Sequence, residues 1–247
     1  MIIQSLAKNI RKQNWFTVII EFIIVVVGIF VALQVENWNE DRAALNQTKD
    51  YLAKKLVNLD EDLKQLQALS EYRLELGAMC TNLLDKGYDN ASDNEIVTLT
   101  LIVTVERRFN SSLTNAQRDS ITTYFKNISG TGIEDLEQDY MNLVNFITFT
   151  EGRLNTFSES LEEDLWRSGL FMDNRELFRS MEPFSKNDFD PKQAPALKRN
   201  VQYATKSLMA ILRRNEISSG RLVENYAALM KINNELQAAI KSFLKLN

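Results

Sequence analysis

Trp15 to Val35 reads WFTVIIEFIIVVVGIFVALQV, an apolar run of 21 residues that holds a single charge, Glu21. As a helix rising about 1.5 Å per residue it is roughly 31 Å long, close to the hydrocarbon thickness of a bilayer, so it is expected to cross a membrane once. Trp15 and Trp38 bracket the run at the depth where indoles favour the headgroup region, and Glu36, Asn37, Asn39, Glu40 and Asp41 mark the return to water. Lys8, Arg11 and Lys12 precede the span in a short tail and an acidic cluster follows it, which predicts a cytoplasmic N-terminus (residues 1–14) and a body on the periplasmic or extracellular side. A cleaved signal peptide is the rival reading, but its apolar core is shorter, and no small-x-small cleavage site follows this one. A buried hairpin of a soluble core is disfavoured by the unbroken length and the flanking tryptophans.

The rest of the composition narrows the class. The 247 residues include only 8 Gly and 3 Pro, few breaking points for a chain of that length, which predicts an all-α protein. There is no histidine, which removes imidazole acid-base chemistry, His-based triads and most catalytic zinc sites. One cysteine, Cys80, excludes an internal disulfide framework and any CxxC motif. The tail before Trp15 carries +3, the apolar run −1 and the remaining residues −6. An acidic body without a basic stripe argues against nucleic acid as a partner, because phosphates need clustered Lys and Arg.

Glu21 is unusual inside an apolar span. At about 100° per residue, Glu21, Val25, Gly28, Ala32 and Val35 share a narrow stripe, with Gly28 and Ala32 as a small-xxx-small pair. Such a face lets two helices approach closely while keeping the carboxylate off lipid, paired with a partner or lining a wet path. The plainer alternative is that Glu21, about 9 Å inside Trp15, is reached by water from the cytoplasmic side.

From Ile29 to Leu76 there is neither Gly nor Pro, so the spanning helix is expected to continue into the polar body as a stalk. Leu45, Leu52, Leu56, Leu59, Leu63 and Leu66 follow three-and-four spacing, with Lys49 as a polar gap, and the helix should stop near Asp85-Lys86-Gly87. Ser92-x-x-Glu95 is a capping box, and Thr98 to Val105 (TLTLIVTV), ambiguous between strand and helix, is assigned to a helix because no second strand is available to pair with it. Thr114-x-x-Gln117 opens a short helix with Ile121, Phe125 and Ile128 inward, closed by Ser129-Gly130. The short helices between Ser92 and Ile128 are expected to cap the far end of the bundle. Thr131-x-x-Glu134 opens a long helix with a seam at Leu136, Tyr140, Leu143, Ile147, Thr150, Leu154, Phe157, Leu161 and Leu165, read as core. The three prolines mark a connector at 183–195. Beyond it, 196–247 completes the bundle as one helix or as a hairpin broken at Ser218-Ser219-Gly220. Its seam is Leu222, Tyr226, Leu229, Asn233, Leu236, Ile240 and Phe243, with Asn233 able to fix register. The expected architecture is one transmembrane helix continuing into an elongated extracytoplasmic bundle of three or four long helices, 36–182 and 196–247, with coiled-coil-like packing.

Glu21 to Arg42 (EFIIVVVGIFVALQVENWNEDR) resembles an uncharacterised bacterial family of single-span membrane proteins through Gly28, Ala32-Leu33-Gln34 and Asn37-Trp38-Asn39-Glu40. The quoted run, about a tenth of the chain, carries the likeness. It implies a membrane-anchored helical protein of unknown role and brings no catalytic residue with it; the expected location is the bacterial inner membrane.

Few constellations suggest chemistry. Asp85, Asp89, Asp93 and Glu95 crowd one loop but miss the EF-hand pattern, since Gly87 stands at the third position and no acid at the twelfth. Glu159, Glu162, Glu163 and Asp164 read as a solvated helix face, and no metal or cofactor is assigned. Walker, GxGxxG and GxSxG motifs are missing, so an enzyme is not expected. Cys80 continues the seven-residue series of Leu52, Leu59, Leu66 and Arg73, which makes it a small buried residue; the sharper alternative is a crosslink between two chains. The leading expectation is a membrane-anchored interaction or scaffold protein, self-associating or docking a membrane partner through Glu21, Val25, Gly28 and Ala32. The alternative is an ion-conducting or energy-coupling subunit in which Glu21 carries protons, and the third reading is a ligand-sensing ectodomain that needs a separate relay partner.

Overall fold

A computed structural model describes residues 15–104, 106–113, 124–167 and 202–246. The tail 1–14, the proposed helix start at Thr114, Ile121 and the connector 183–195 lie outside the described residues. Among the described residues every regular element is helical, as the composition predicts: α1 (Trp15–Lys86), a 3-10 turn (Tyr88–Asn90), α2 (Asp93–Thr104), α3 (Tyr124–Ile128), α4 (Ile133–Arg167) and α5 (Gln202–Leu246). The TLTLIVTV stretch is helical through Thr104, and Ser218-Ser219-Gly220 neither breaks nor ends α5. The chain divides into two compact units, Met1–Tyr51 with Ala116–Asn127 and Leu52–Asn115 with Ile128–Asn247.

In the first unit, α1 from Trp15 to Ala43 has its described side chains exposed. Further along, Tyr51 packs edge-on against Tyr124 with ring centroids 5.3 Å apart, and the Asn127 amide donates to the Thr48 hydroxyl at 2.9 Å. Phe125 is exposed and Tyr124 buried, contrary to the inward Phe125 expected from sequence. In a helix of five residues one aromatic takes the inward position, and the ring of Tyr51 selects Tyr124.

The second unit is a three-helix bundle. Lys55 meets Glu137 and Asp62 meets Tyr140, so this part of α1 runs parallel to α4. Asn233 meets Leu59, and a Cβ on Gly77 would lie 3.3 Å from that of Ser219, so α5 runs antiparallel to α1. α2 closes one end: Ile96, Leu99 and Val103 share a buried cluster with Leu76, Cys80 and Leu83 of α1, Leu165 of α4 and Leu208, Ile211 and Leu212 of α5. The expectation that short helices cap the bundle therefore holds for α2, whereas α3 has its Tyr124–Asn127 turn in the other unit.

Helix ends follow local chemistry. Gly87 takes φ +77, a value that side chains with a Cβ rarely adopt, while its N–H closes the last turn on the Leu83 carbonyl at 2.9 Å. The Ser92 box forms in full: the Glu95 carboxylate accepts the Ser92 N–H at 2.7 Å and the Glu95 N–H reaches the Ser92 hydroxyl at 3.3 Å. α4 begins one residue later than a Thr131 cap implies, at Ile133. The Thr131 hydroxyl instead donates to the Ile128 carbonyl at 2.6 Å and accepts the Ile133 N–H at 3.3 Å, so it stabilises the turn ahead of the helix.

Candidate functional site

Two surfaces or interiors in this chain call for a functional account. The first is the opening stretch of α1. Glu21, Val25, Gly28 and Ala32 are all exposed along it, at spacings of four, three and four. A Cβ added to Gly28 would meet nothing within 4 Å, so no packing inside the described chain uses the space that this glycine leaves. Trp15 and Trp38 are both exposed, and the Arg42 guanidinium lies 5.5 Å from the Trp38 ring, where it holds the indole against a charged neighbour. Among the described residues this is one helix long and apolar enough to cross a membrane, and none of its apolar window is buried. The coarse expectation of a membrane anchor fits that geometry.

The second is the polar interior of the bundle. Lys55 and Glu137 form an ion pair of 2.5 Å with side chains 5% and 3% exposed. One turn or two further along, Asp62 accepts the Ser111 hydroxyl at 2.6 Å, the Ser112 N–H at 2.7 Å and the Tyr140 hydroxyl at 2.7 Å. Glu151 accepts the Phe109 N–H at 2.8 Å and the Tyr226 hydroxyl. Burial raises the Glu151 pKa above the ordinary carboxylate range, opposed by those two donors and by Arg73. Burial, together with the carboxylate it faces, pushes both tyrosine hydroxyls upward, so Tyr140 and Tyr226 remain protonated donors.

Asp62 and Glu151 have a common task. Residues 106–113 have no helical hydrogen bonding and lie along α1 in the reverse direction: Arg73 donates to the Arg107 carbonyl at 3.4 Å, Gln65 accepts the Asn110 N–H at 3.2 Å, and Asn58 donates to the Ser112 carbonyl at 3.3 Å. Phe109 is buried within this strap. A non-helical segment leaves its N–H groups without ladder partners, and Asp62 and Glu151 supply them. The arrangement orders backbone, and both oxygens of Asp62 and of Glu151 accept from protein donors.

Sequence reasoning missed Lys55, Asp62, Glu137 and Glu151, all of them buried, whereas Arg73, also buried, lies in the line of Leu66 and Cys80 where the spacing put it. A signal was present. Lys55 and Asp62 continue the seven-residue line of Leu69, Leu76 and Leu83, and Glu137 and Glu151 that of Val144 and Leu165. A search for apolar residues alone puts the seams one position away, at Leu56 and Leu63 or at Leu136, Leu143, Thr150 and Phe157, which are half-buried.

Cys80 is 0% exposed within the α2 cluster, and burial pushes its thiol up to about 12. That agrees with a small buried residue; a crosslink between two chains through this sulfur requires the cluster to open first. The acids proposed as turn and surface residues have local partners: Glu95 with Ser92 and Lys86, Glu163 with Arg167 at 2.5 Å, Asp164 with Ser207 at 2.9 Å. Among the described residues no three His, Cys, Asp or Glu side chains gather as a metal cluster would require.

No family model matches the chain, and no curated protein or solved structure matches it either.

Proposed function

We propose that this chain is a membrane-anchored interaction or scaffold protein that self-associates or docks a membrane partner through Glu21, Val25, Gly28 and Ala32. The observation that carries the reading is the unused space at Gly28 on an apolar helix that the described chain leaves uncovered. In lipid, helices associate through close packing at small residues, and Glu21 on the same face is kept from hydrocarbon when that face is closed by another helix. The basic tail supports a cytoplasmic N-terminus, and the motif likeness at Asn37-Trp38-Asn39-Glu40 supports a bacterial inner membrane. The bundle then stands outside the cytoplasm and acts by binding.

The test is a crosslinked pull-down of full-length protein from its native membrane, read by mass spectrometry beside a Glu21→Leu, Gly28→Leu double variant. A stoichiometric companion, or a second copy of the chain, that the variant loses supports the proposal; equal recovery by both proteins overturns it. Glu21→Gln separates the conducting alternative, because it abolishes proton passage while leaving a scaffold's assembly in place.

A further inference from the structure

Phe149, Gly152, Arg153 and Phe157 lie along one face of α4, and Arg214 of α5 flanks them at an open groove of about 510 Å³. That volume falls within the roughly 300–1,000 Å³ of small-molecule sites. The two rings are eight residues apart, about 12 Å along the helix axis, and Gly152 lies between them. A Cβ at Gly152 would meet nothing within 4 Å, so the glycine leaves a notch in the floor. Phe149 is 62% exposed, far more than an apolar ring needs to be if the bundle used it for packing.

The charges are one-sided. Arg153 lies 5.8 Å from the Phe149 ring and Arg214 5.8 Å from the Phe157 ring. No carboxylate lines the groove, and among the described residues neither guanidinium has an acidic partner. The Arg214 Nε is buried with no hydrogen-bond partner among the described residues, a donor that costs stability until an acceptor reaches it. A guanidinium fork matches a carboxylate in two parallel bonds, and flat rings favour an aromatic guest by edge or offset stacking.

We propose that this groove binds a small aromatic carboxylate, its ring over Gly152 between Phe149 and Phe157 and its carboxylate held by Arg153 and Arg214. The site uses none of the anchor-face residues, and it gives the bundle a ligand of its own.

The experiment is a saturation-transfer NMR titration of full-length protein in nanodiscs with 3-phenylpropanoate, corrected with empty nanodiscs. Its uncharged amide and inorganic phosphate serve as comparison probes. Saturable binding of the acid at millimolar concentration is expected, with the amide and phosphate at least tenfold weaker. Arg214→Met and Gly152→Leu should each weaken the acid at least tenfold, and Arg221→Met, elsewhere on α5, should leave it unchanged. Circular dichroism reports whether each variant is folded, and Arg214→Met decides the matter should Gly152→Leu fail to fold. No saturable binding, equal binding by Arg214→Met, competition by phosphate at parity, or loss of binding as protein concentration rises (a second copy filling the groove) each overturns the proposal.

Discussion

Glu151 accepts two donors that have no other partner on α4, the Phe109 N–H and the Tyr226 hydroxyl. Its pKa in the folded chain is raised, chiefly by burial. A raised folded value means that its contribution to stability is full below the unfolded pKa and is lost as pH rises through the folded one. Wild-type protein should therefore lose stability as pH rises across that window, and Glu151→Gln, which keeps an acceptor but has no proton to lose, should lose less. Urea unfolding at several pH values measures this; identical slopes in the two proteins contradict it. Glu151→Leu is a different perturbation. It leaves a buried N–H and a buried hydroxyl unsatisfied and should cost about 2–5 kcal/mol at neutral pH, read from the same curves.

At the scale of elements, the capping box at Ser92 joins geometry to titration. Hydrogen bonds from the Ser92 hydroxyl and N–H, and then Lys86, hold the Glu95 carboxyl down at about 2. A depressed folded value means that the contribution is present above the unfolded carboxylate pKa and is lost as pH falls through about 2. Ser92→Ala should cost about 1 kcal/mol at neutral pH and flatten the acid limb of the stability profile, both measurable by thermal melts. That cap was legible in the sequence because Ser-x-x-Glu is a local pattern, and so was the α5 seam, whose seven named positions are all buried. The seams of α1 and α4 were legible only in part. Leu52, Leu59 and Leu66, like Tyr140, Ile147 and Leu154, lie where spacing puts them, but the companion line of each helix includes acids and bases. Asp62, Arg73 and Glu151 are buried against a strap from 106–113 that has no periodic signature, and Lys55 and Glu137 against each other. A charge at a seam position can be read as core only once its partner is known, and the partners here are up to 82 residues away, as with Lys55 and Glu137. The groove at Arg214 was hidden for a similar reason, since Phe157 read as seam and its neighbour across the gap belongs to another helix.

Over the whole molecule, one alphabet of side chains makes two kinds of surface. From Trp15 to Val35 apolar side chains face outward, a surface compatible with a membrane anchor. Within the bundle the same residue types face inward, and the charged residues that join them are paired, donate to backbone carbonyls or accept from backbone N–H groups. The bundle should accordingly open as a cooperative body, with Cys80 as its internal reporter. Its sulfur lies in the cluster that joins α2 to the three long helices, and its thiol is pushed up to about 12, so alkylation at mildly alkaline pH has to wait for opening. Leu59 is fully buried and distant in sequence from that cluster. Leu59→Ala should remove about 2–5 kcal/mol, and if the bundle opens as one body it should speed Cys80 labelling by a factor of about 30 or more. Fast labelling of the wild-type protein without denaturant contradicts the burial of Cys80. A slow wild-type rate that Leu59→Ala leaves unchanged means that the cluster around α2 opens independently, as a smaller unit than the bundle.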